Sequence, residues 1–187
     1  MDTIQNTDPC FFTQQAFLIG TYNEDHTENF APISWISYTA GEKSCLVISI
    51  GGDKKTRRNI ERTGLLSATV LTPDLLPFAE CCNDYTRNDD LLKKVKPVYC
   101  PGNVLDVPLI KGAKWSYECK VIHTVTLGES RTYFAEFAKV NVRPDIQKLD
   151  FIDLREIDPI IYAHYHYFNV GEHLGEIGDY SKSKGGA

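Results

Sequence analysis

Apolar residues occur along this chain in short runs that are separated by glycine, proline and charged turns. The run CLVISI at residues 45–50 is rich in β-branched residues and stops at Gly51 and Gly52, which predicts a buried strand that enters a tight turn. Residues 16–22 and 30–38 are also extended in character. The polar segment NEDHTEN between them predicts the turn of a β-hairpin.

A short helix is predicted directly after the two glycines. The segment KKTRRNIERTG contains good helix formers, places Ile60 on an inward face and ends at Gly64, a residue suited to a helix C-cap. The apolar run LLSATVL at residues 65–71 then predicts another strand. The local order is therefore strand, glycine turn, short helix and strand.

The second half of the chain changes from an irregular to a strongly extended pattern. Residues 72–102 contain four prolines and the charged stretch NDDLLKKVK, which predicts a helical excursion and not a second domain. Residues 114–142 are dominated by β-branched and aromatic side chains around a turn at residues 128–130, which predicts a long antiparallel hairpin. Instead of a doubly wound sheet, we expect one mainly β domain over residues 1–180, an antiparallel, Greek-key-like barrel with a few attached helices. Residues 181–187 are expected to form a flexible tail.

Composition narrows the classes of function. The 187 residues carry a formal net charge of -5, whereas a general nucleic-acid binder needs an excess of clustered Lys and Arg. The N-terminal sequence MDTIQNTDPC lacks the basic and apolar blocks of a secretion signal, and no apolar run reaches the roughly 20 residues of a membrane-spanning helix. We therefore expect a cytoplasmic protein without a nucleic-acid or membrane partner.

The cysteines and histidines give no clear metal or redox motif. The six cysteines form no CxxC pair of the kind found in zinc and thioredoxin-type sites, so reduced, structural thiols are expected. Cys81 and Cys82 are adjacent, but no nearby histidine or helix start would lower their thiol pKa. His164 and His166 would share one face of a strand, yet two ligands are too few, and we expect no metal.

The segment after the glycine turn has the character of an anion site. It places two glycines and the cationic residues Lys54, Lys55, Arg57 and Arg58 at the start of a helix, where backbone amides are unpaired and the helix dipole is positive. The spacing matches neither GxxxxGK[ST] nor GxGxxG, which disfavours a nucleotide triphosphatase or a dinucleotide fold. The alternative is a solvated basic face of the helix.

A second polar group interrupts the apolar strand ENFAPISWIS. Its residues Asn29, Ser34, Trp35 and Ser37 would need partners, and a flavin offers both donors and acceptors at its ring edge and flat faces that an indole can cover. The alternative is that Trp35 is a core residue.

Taken together, these segments resemble the flavin-reductase-like, FMN-binding split-barrel family, in particular its flavoredoxin branch. The resemblance is collinear and covers nearly the whole chain: AFLIGTY, NFAPISW, CLVISIGG, KTRRNI, TGLLSATVL, YECKVIHTV and YFNVGEHLGEIG. It implies a split barrel, FMN as cofactor and NADH, NADPH or a redox protein as candidate electron partners. It also implies a homodimer with FMN near the subunit interface, which the tyrosine-rich IIYAHYHYF stretch fits.

The resemblance assigns a role to each candidate site residue. Three residues would contact the flavin, four would surround its phosphate, three would pass beneath the ring, and a lysine of the helical excursion would reach the cofactor. In that order they are Asn29, Ser34 and Trp35; Lys54, Lys55, Thr56 and Arg58; Ser49, Ile50 and Gly51; and Lys93 or Lys94.

The turn of the late hairpin departs from the family pattern. Many members that reduce free flavin with a nicotinamide cofactor carry Gly-Asp-His there, whereas this chain has Gly128-Glu129-Ser130 followed by Arg131. Nicotinamide use therefore does not follow from the resemblance. His123 lies one strand earlier and is not assumed to substitute, and no catalytic residue is assigned.

Two other classes of function remain open from the sequence. One is a non-catalytic split-barrel domain that binds or senses heme or a small phosphate ester. The other is a barrel that serves only for dimerisation, with its basic turn in solvent. Our leading expectation is an FMN-dependent oxidoreductase that carries electrons or reduces flavin through bound FMN.

Overall fold

The computed structural model describes residues 13–83, 86–148, 152–163 and 165–175. The strands of these ranges are β1 (Gln14–Gln15), β2 (Phe17–Tyr22), β3 (Glu28–Ile33), β4 (Ile36–Tyr38), β5 (Cys45–Ile50), β6 (Leu65–Val70), β7 (Tyr99–Pro101), β8 (Pro108–Ile110), β9 (Trp115–Leu127), β10 (Ser130–Val142), β11 (Ile161–Ala163) and β12 (His166–Phe168). The helices are α1 (Lys55–Thr63), α2 (Leu76–Cys82), α3 (Asp89–Val95), α4 (Pro144–Gln147) and α5 (Leu154–Ile157), with a 3-10 turn at Pro73–Leu75. None of these helices is long and apolar enough to cross a lipid bilayer.

Seven strands form one antiparallel sheet whose two edges meet. The strand order is β3-β2-β6-β9-β10-β5-β4, so β3 and β4 lie at opposite edges, yet only Ser34 and Trp35 separate them along the chain. A connection of this length spans on the order of 10 Å, so the sheet must curl until its edges approach each other. The result is a mainly β, split-barrel architecture, as predicted.

The position of this connection corrects one prediction. Residues 30–38 were expected to form one extended run, whereas the strand ends at Ile33 and a new one begins at Ile36. Strand β3 pairs with β2, and β4 pairs with β5 on the other side of the barrel. The break at Ser34 and Trp35 therefore transfers the chain from one sheet edge to the other.

The other main elements follow the predicted order. Strand β5, helix α1 and strand β6 are consecutive, and α1 ends at Gly64, whose φ of 68° gives the left-handed C-cap. Strands β9 and β10 form the long hairpin, which turns at Gly128. The excursion at residues 72–102 contains α2, α3 and the short strand β7. The predicted tail at residues 181–187 lies outside the described residues.

Two groups of buried side chains meet at strand β2. Phe17 and Ile19 point into the barrel, where they pack with Leu46, Ile48 and other barrel residues. Leu18 points to the opposite face and joins the cluster beneath the helical excursion. Because successive strand residues alternate between faces, a strand covered on both sides reads as an unbroken apolar run.

A buried carboxylate organises the turn between β7 and β8. Glu118 on β9 is 0% exposed, and its carboxylate accepts hydrogen bonds from the backbone amides of Asn103, Val104 and Leu105 and from the side chain of Asn141, all at 2.9–3.0 Å. Burial alone would raise the pKa of this carboxyl, but the hydrogen bonds from Val104, Asn141 and the other amides outweigh it and lower the pKa.

Replacing Glu118 by Gln is expected to destabilise the fold by about 2–3 kcal/mol at neutral pH, because an amide cannot accept this set of donors and leaves some of them unpaired. Chemical denaturation would measure the loss, with Glu136→Gln on the exposed face of β10 as the control. Because the pKa of Glu118 is lowered in the folded state, its ionised carboxylate stabilises the fold at pH values above the unfolded-state pKa of about 4.3. The difference between wild type and Glu118→Gln should therefore shrink as the pH falls below this value, and a difference that does not depend on pH would contradict the assignment.

Candidate functional site

A cavity of about 1070 Å³ lies where the sheet edges meet the start of α1. The helical excursion and the β11–β12 hairpin form its other wall. The predicted site residues that line this cavity are Asn29, Ser34, Trp35, Ser49, Ile50, Gly51, Lys54, Lys55 and Thr56. They come from β3, the connection that follows it, β5, the glycine turn and the start of α1, so the curled sheet brings together positions that are apart in sequence.

The start of α1, with its first-turn amides, lies at the cavity wall. Gly52 has a φ of 69°, in the left-handed region that favours glycine, and it turns the chain from β5 into the helix. The N-cap residue Lys54 makes no side-chain cap hydrogen bond, and the first turn contains no acidic residue. With Lys54 and Lys55 beside these amides, the local potential favours an anion.

Arg57 holds this turn in place. Its guanidinium donates to the carbonyl oxygens of Gly52 and Glu129, both at 3.0 Å, and to the carboxylate of Glu61 at 2.9 Å. It thereby ties the glycine turn to α1 and to the tip of the β9–β10 hairpin. Arg57 is thus a structural residue of the site.

Arg58, Lys93 and Lys94 were predicted as cofactor residues, and all three lie outside the cavity lining. Arg58 forms an ion pair with Asp53 at 2.6 Å on the exposed side of α1. Lys93 pairs with Asp90 at 3.2 Å, and its side chain is 77% exposed. Because none of these side chains lines the cavity, their contact with the cofactor stays a prediction.

Asn29 and Thr56 join β3 to the helix start. The Asn29 side-chain amide donates to Thr56 Oγ1 at 2.9 Å and to Thr21 Oγ1 at 3.1 Å. Thr56 is only 3% exposed, so its hydroxyl group is held in a defined place at the first turn of α1. This contact fixes one end of the cavity.

Trp35 lies at the junction of the two sheet edges. Its carbonyl oxygen accepts a hydrogen bond from the amide of Ser49 at 2.9 Å, while the residue is 45% exposed. The alternative that Trp35 is a core residue is therefore wrong. Ser49 Oγ in turn accepts a hydrogen bond from Thr132 at 3.1 Å, which connects this part of the wall to β10.

The opposite wall is aromatic, and three of its tyrosines come from the stretch IIYAHYHYF, which was expected at a subunit interface. Phe30 stacks on Tyr99 with ring centroids 5.0 Å apart. The ammonium of Lys96 lies 4.8 Å from the centroid of Tyr99, and the Tyr167 hydroxyl donates to the Glu80 carboxylate. The aromatic residues of the lining, apart from Trp35, are Phe30, Phe78, Tyr99, Tyr162, Tyr165 and Tyr167.

Lys96 is a lining residue that was not predicted. It follows Leu92 by four positions, and both residues line the cavity. The i,i+4 spacing from the apolar Leu92 is the sequence signal that separates Lys96 from Lys93.

Cys81 and Cys82 lie in α2 at this wall. Cys81 is 1% exposed, and burial, reinforced by the neighbouring Cys81 thiol, raises the pKa of Cys82 to about 12. The Cys82 thiol therefore stays protonated at neutral pH, as expected for a structural cysteine. The described residues contain no group of three potential metal ligands, and His164 lies outside them.

The fold and the cavity define a split-barrel protein with a cationic helix start beside an aromatic wall. The family model described as "Flavin reductase like domain" matches residues 10–171. The chain belongs to this flavin reductase-like family, which confirms the resemblance found in the sequence.

Solved structures show the same architecture. Flavoredoxin of Desulfovibrio vulgaris (Miyazaki F) is 22% identical, with a TM-score of 0.84 over 97% of this chain and 100% of that chain. Flavoredoxin from Methanosarcina acetivorans is 17% identical, with a TM-score of 0.81 over 97% and 100%. The FMN-binding protein from Thermus thermophilus with bound p-hydroxybenzaldehyde is 16% identical, with a TM-score of 0.73 over 94% and 99%. At these identities the likeness establishes the fold.

Changing Arg57 to Met should lower the melting temperature by on the order of 3 °C, because the carbonyl oxygens of Gly52 and Glu129 lose their shared donor. Arg58→Met on the same helix is the matched control and should leave the melting temperature nearly unchanged, since its ion pair is exposed. Thermal unfolding followed by circular dichroism would compare them. Equal effects of the two substitutions would show that Arg57 does not hold the turn.

Proposed function

We propose that this chain binds FMN in the cavity and acts as a flavin-dependent oxidoreductase of the flavin reductase or flavoredoxin type. The observation that carries the proposal is that one cavity joins a cationic, uncapped helix start to a wall of aromatic rings. FMN combines the two matching groups, a phosphate and a planar ring system. Bound flavin would supply the electron transfer, while the protein positions the ring and tunes its potential.

The helix start fits a phosphate. The first-turn amides of α1 have no side-chain cap, Lys54 and Lys55 add positive charge, and the Thr56 hydroxyl accepts from Asn29, which leaves its proton for a further acceptor. A phosphate dianion would be bound by charge-assisted hydrogen bonds at such a place. The basic turn is therefore better explained as a ligand site than as a solvated helix face.

The remaining space fits a flavin ring. A volume of about 1070 Å³ is slightly above the usual range for small-molecule and cofactor sites, so the cavity has room for a flavin. Trp35 supplies a partly exposed indole, while Ser49, Ile50 and Gly51 supply polar and apolar groups along the strand end. Their role would be to orient the ring and to exclude water from one of its faces.

The electron donor is a separate question. His123 contacts Phe134, with ring centroids 5.8 Å apart, and does not line the cavity. The turn at Gly128 is held by Arg57 and lacks a histidine. Anaerobic mixing of the FMN-loaded protein with NADH or NADPH distinguishes a flavin reductase from an electron carrier. A reductase is bleached rapidly by the nicotinamide cofactor, whereas a carrier is not.

Natively purified protein should show flavin absorbance or take up added FMN, and replacing Lys54 and Lys55 by Met should weaken FMN binding about 10- to 100-fold. The loss should be smaller for riboflavin, because riboflavin has no phosphate. Fluorescence titration would measure both affinities, with the double substitution Lys93→Met and Lys94→Met as a charge-matched control outside the cavity. Heme bands in place of flavin bands, or equal losses for both ligands, would refute the assignment.

We further propose that the protein forms a homodimer through the exposed half of the β9–β10 hairpin. Pairing of β9 with β6 ends at Lys120, and the following residues carry exposed apolar side chains, including Val125 at 44% and Leu127 at 81% exposed. Val125 lies opposite Thr132, which bonds to the cavity residue Ser49. A second copy on this face would therefore cover the open side of the cavity.

The double substitution Val125→Glu and Leu127→Glu should convert a dimer into a monomer in sedimentation velocity, because buried carboxylates would repel the partner surface. It should also weaken FMN binding. Val98→Glu, at another exposed valine, is the control and should leave both properties unchanged. A wild-type monomer that binds FMN normally would exclude the dimer proposal and leave the cofactor proposal intact.

A further inference from the structure

A chain of hydrogen-bonded side chains connects the cavity wall to two residues that do not line it. Thr21 on β2 and Asn59 on α1 are 1% and 6% exposed. Asn59 Nδ2 donates to Thr21 Oγ1 and to Asn23 Oδ1, both at 3.0 Å. Thr21 Oγ1 also accepts from Asn29 at 3.1 Å. Two lining residues, Asn23 and Asn29, are thus joined through a buried pair.

The direction of these hydrogen bonds is set from the far end of the chain. Asp25 can only accept, and it receives the hydroxyl proton of Thr27 at 2.6 Å. Thr27 Oγ1 therefore accepts from Asn23 Nδ2 at 2.9 Å, which leaves Asn23 Oδ1 as the acceptor for Asn59. Asn59 in turn presents its remaining N–H group to Thr21.

The orientation of the Asn29 amide determines what this residue offers to the cavity. Its Nδ2 atom uses both N–H groups, one on Thr21 and one on Thr56. Its Oδ1 atom has no partner among the described residues and is left as an acceptor. Asn29 and Thr56 therefore present an acceptor and a hydroxyl donor next to each other at the cavity wall.

We infer that Thr21 and Asn59 are positioning residues for the ligand-binding cavity. Thr21, which Asn59 holds in place, accepts one N–H of the Asn29 amide, and the other N–H of that amide holds the hydroxyl of Thr56. A ligand that places a donor group beside an anionic group matches this pair. The inference rests on the proposed function in taking FMN as the ligand, but the orientation of Asn29 exists without it.

Thr21→Val removes the acceptor with little change in shape, whereas Thr21→Ser keeps it. We expect about 10-fold weaker FMN binding for Thr21→Val and an affinity within about 2-fold of wild type for Thr21→Ser. In an Asn29→Ala background, Thr21→Val should cause no further loss, because its effect passes through Asn29. The same fold-loss in both backgrounds would mean a general structural effect and would overturn the inference.

A readout without ligand separates this inference from the proposed function. The side-chain amide resonances of Asn29 in ¹⁵N NMR spectra should be protected from exchange in wild type and Thr21→Ser and lose protection in Thr21→Val. Asn59→Ala should have the same effect, and it replaces Thr21→Val in the experiment if Thr21→Val does not fold. Unchanged Asn29 resonances in a folded variant would overturn the inference even if wild type binds FMN. If the variants show the expected changes of the Asn29 amide but the wild-type protein does not bind flavin, the proposed function alone would be rejected.

Discussion

The two-residue connection at Ser34 and Trp35 is the constraint on which the site depends. It joins strands at opposite edges of one sheet and so requires the sheet to curl until these edges meet. Asn29 before the connection, Ser49 on the strand beside it and Thr56 at the helix start thereby line one cavity. The hydrogen bond between the Ser49 amide and the Trp35 carbonyl fastens the junction.

The helix start is also pre-organised before any ligand arrives. Gly52 supplies the left-handed turn, Arg57 fixes its carbonyl, and Asn29 fixes the first-turn hydroxyl. Binding an anion at such a place requires little reorganisation of the backbone, so more of the interaction energy is available for affinity. The rest of the chain has a net negative charge, which makes this cationic turn a local feature of an otherwise acidic protein.

Short-range sequence patterns were sufficient to predict strand β5, the glycine turn after it and helix α1. The apolar run of β5, the glycine turn and the cap at Gly64 specify the strand, turn and helix regardless of what surrounds them. The break after Ile33 could not be found in this way, because it results from pairing with two distant strands. Lys96 was not predicted as a lining residue because the rotation of a short helix is set by its packing, here through Leu92. The aromatic wall could not be predicted as a unit, because it forms through tertiary contacts between segments that are far apart in sequence.

The two walls of the cavity come from different kinds of segment. One belongs to the barrel and the helix that follows β5, whereas the other is built by the excursion between β6 and β8 and by the β11–β12 hairpin. Both of these segments lie outside the hydrogen-bonded seven-stranded sheet, so they can change in length or sequence without altering its ladder. This modularity gives the scaffold a route to new selectivity, in which a replacement segment grafted onto the second wall leaves the first wall unchanged.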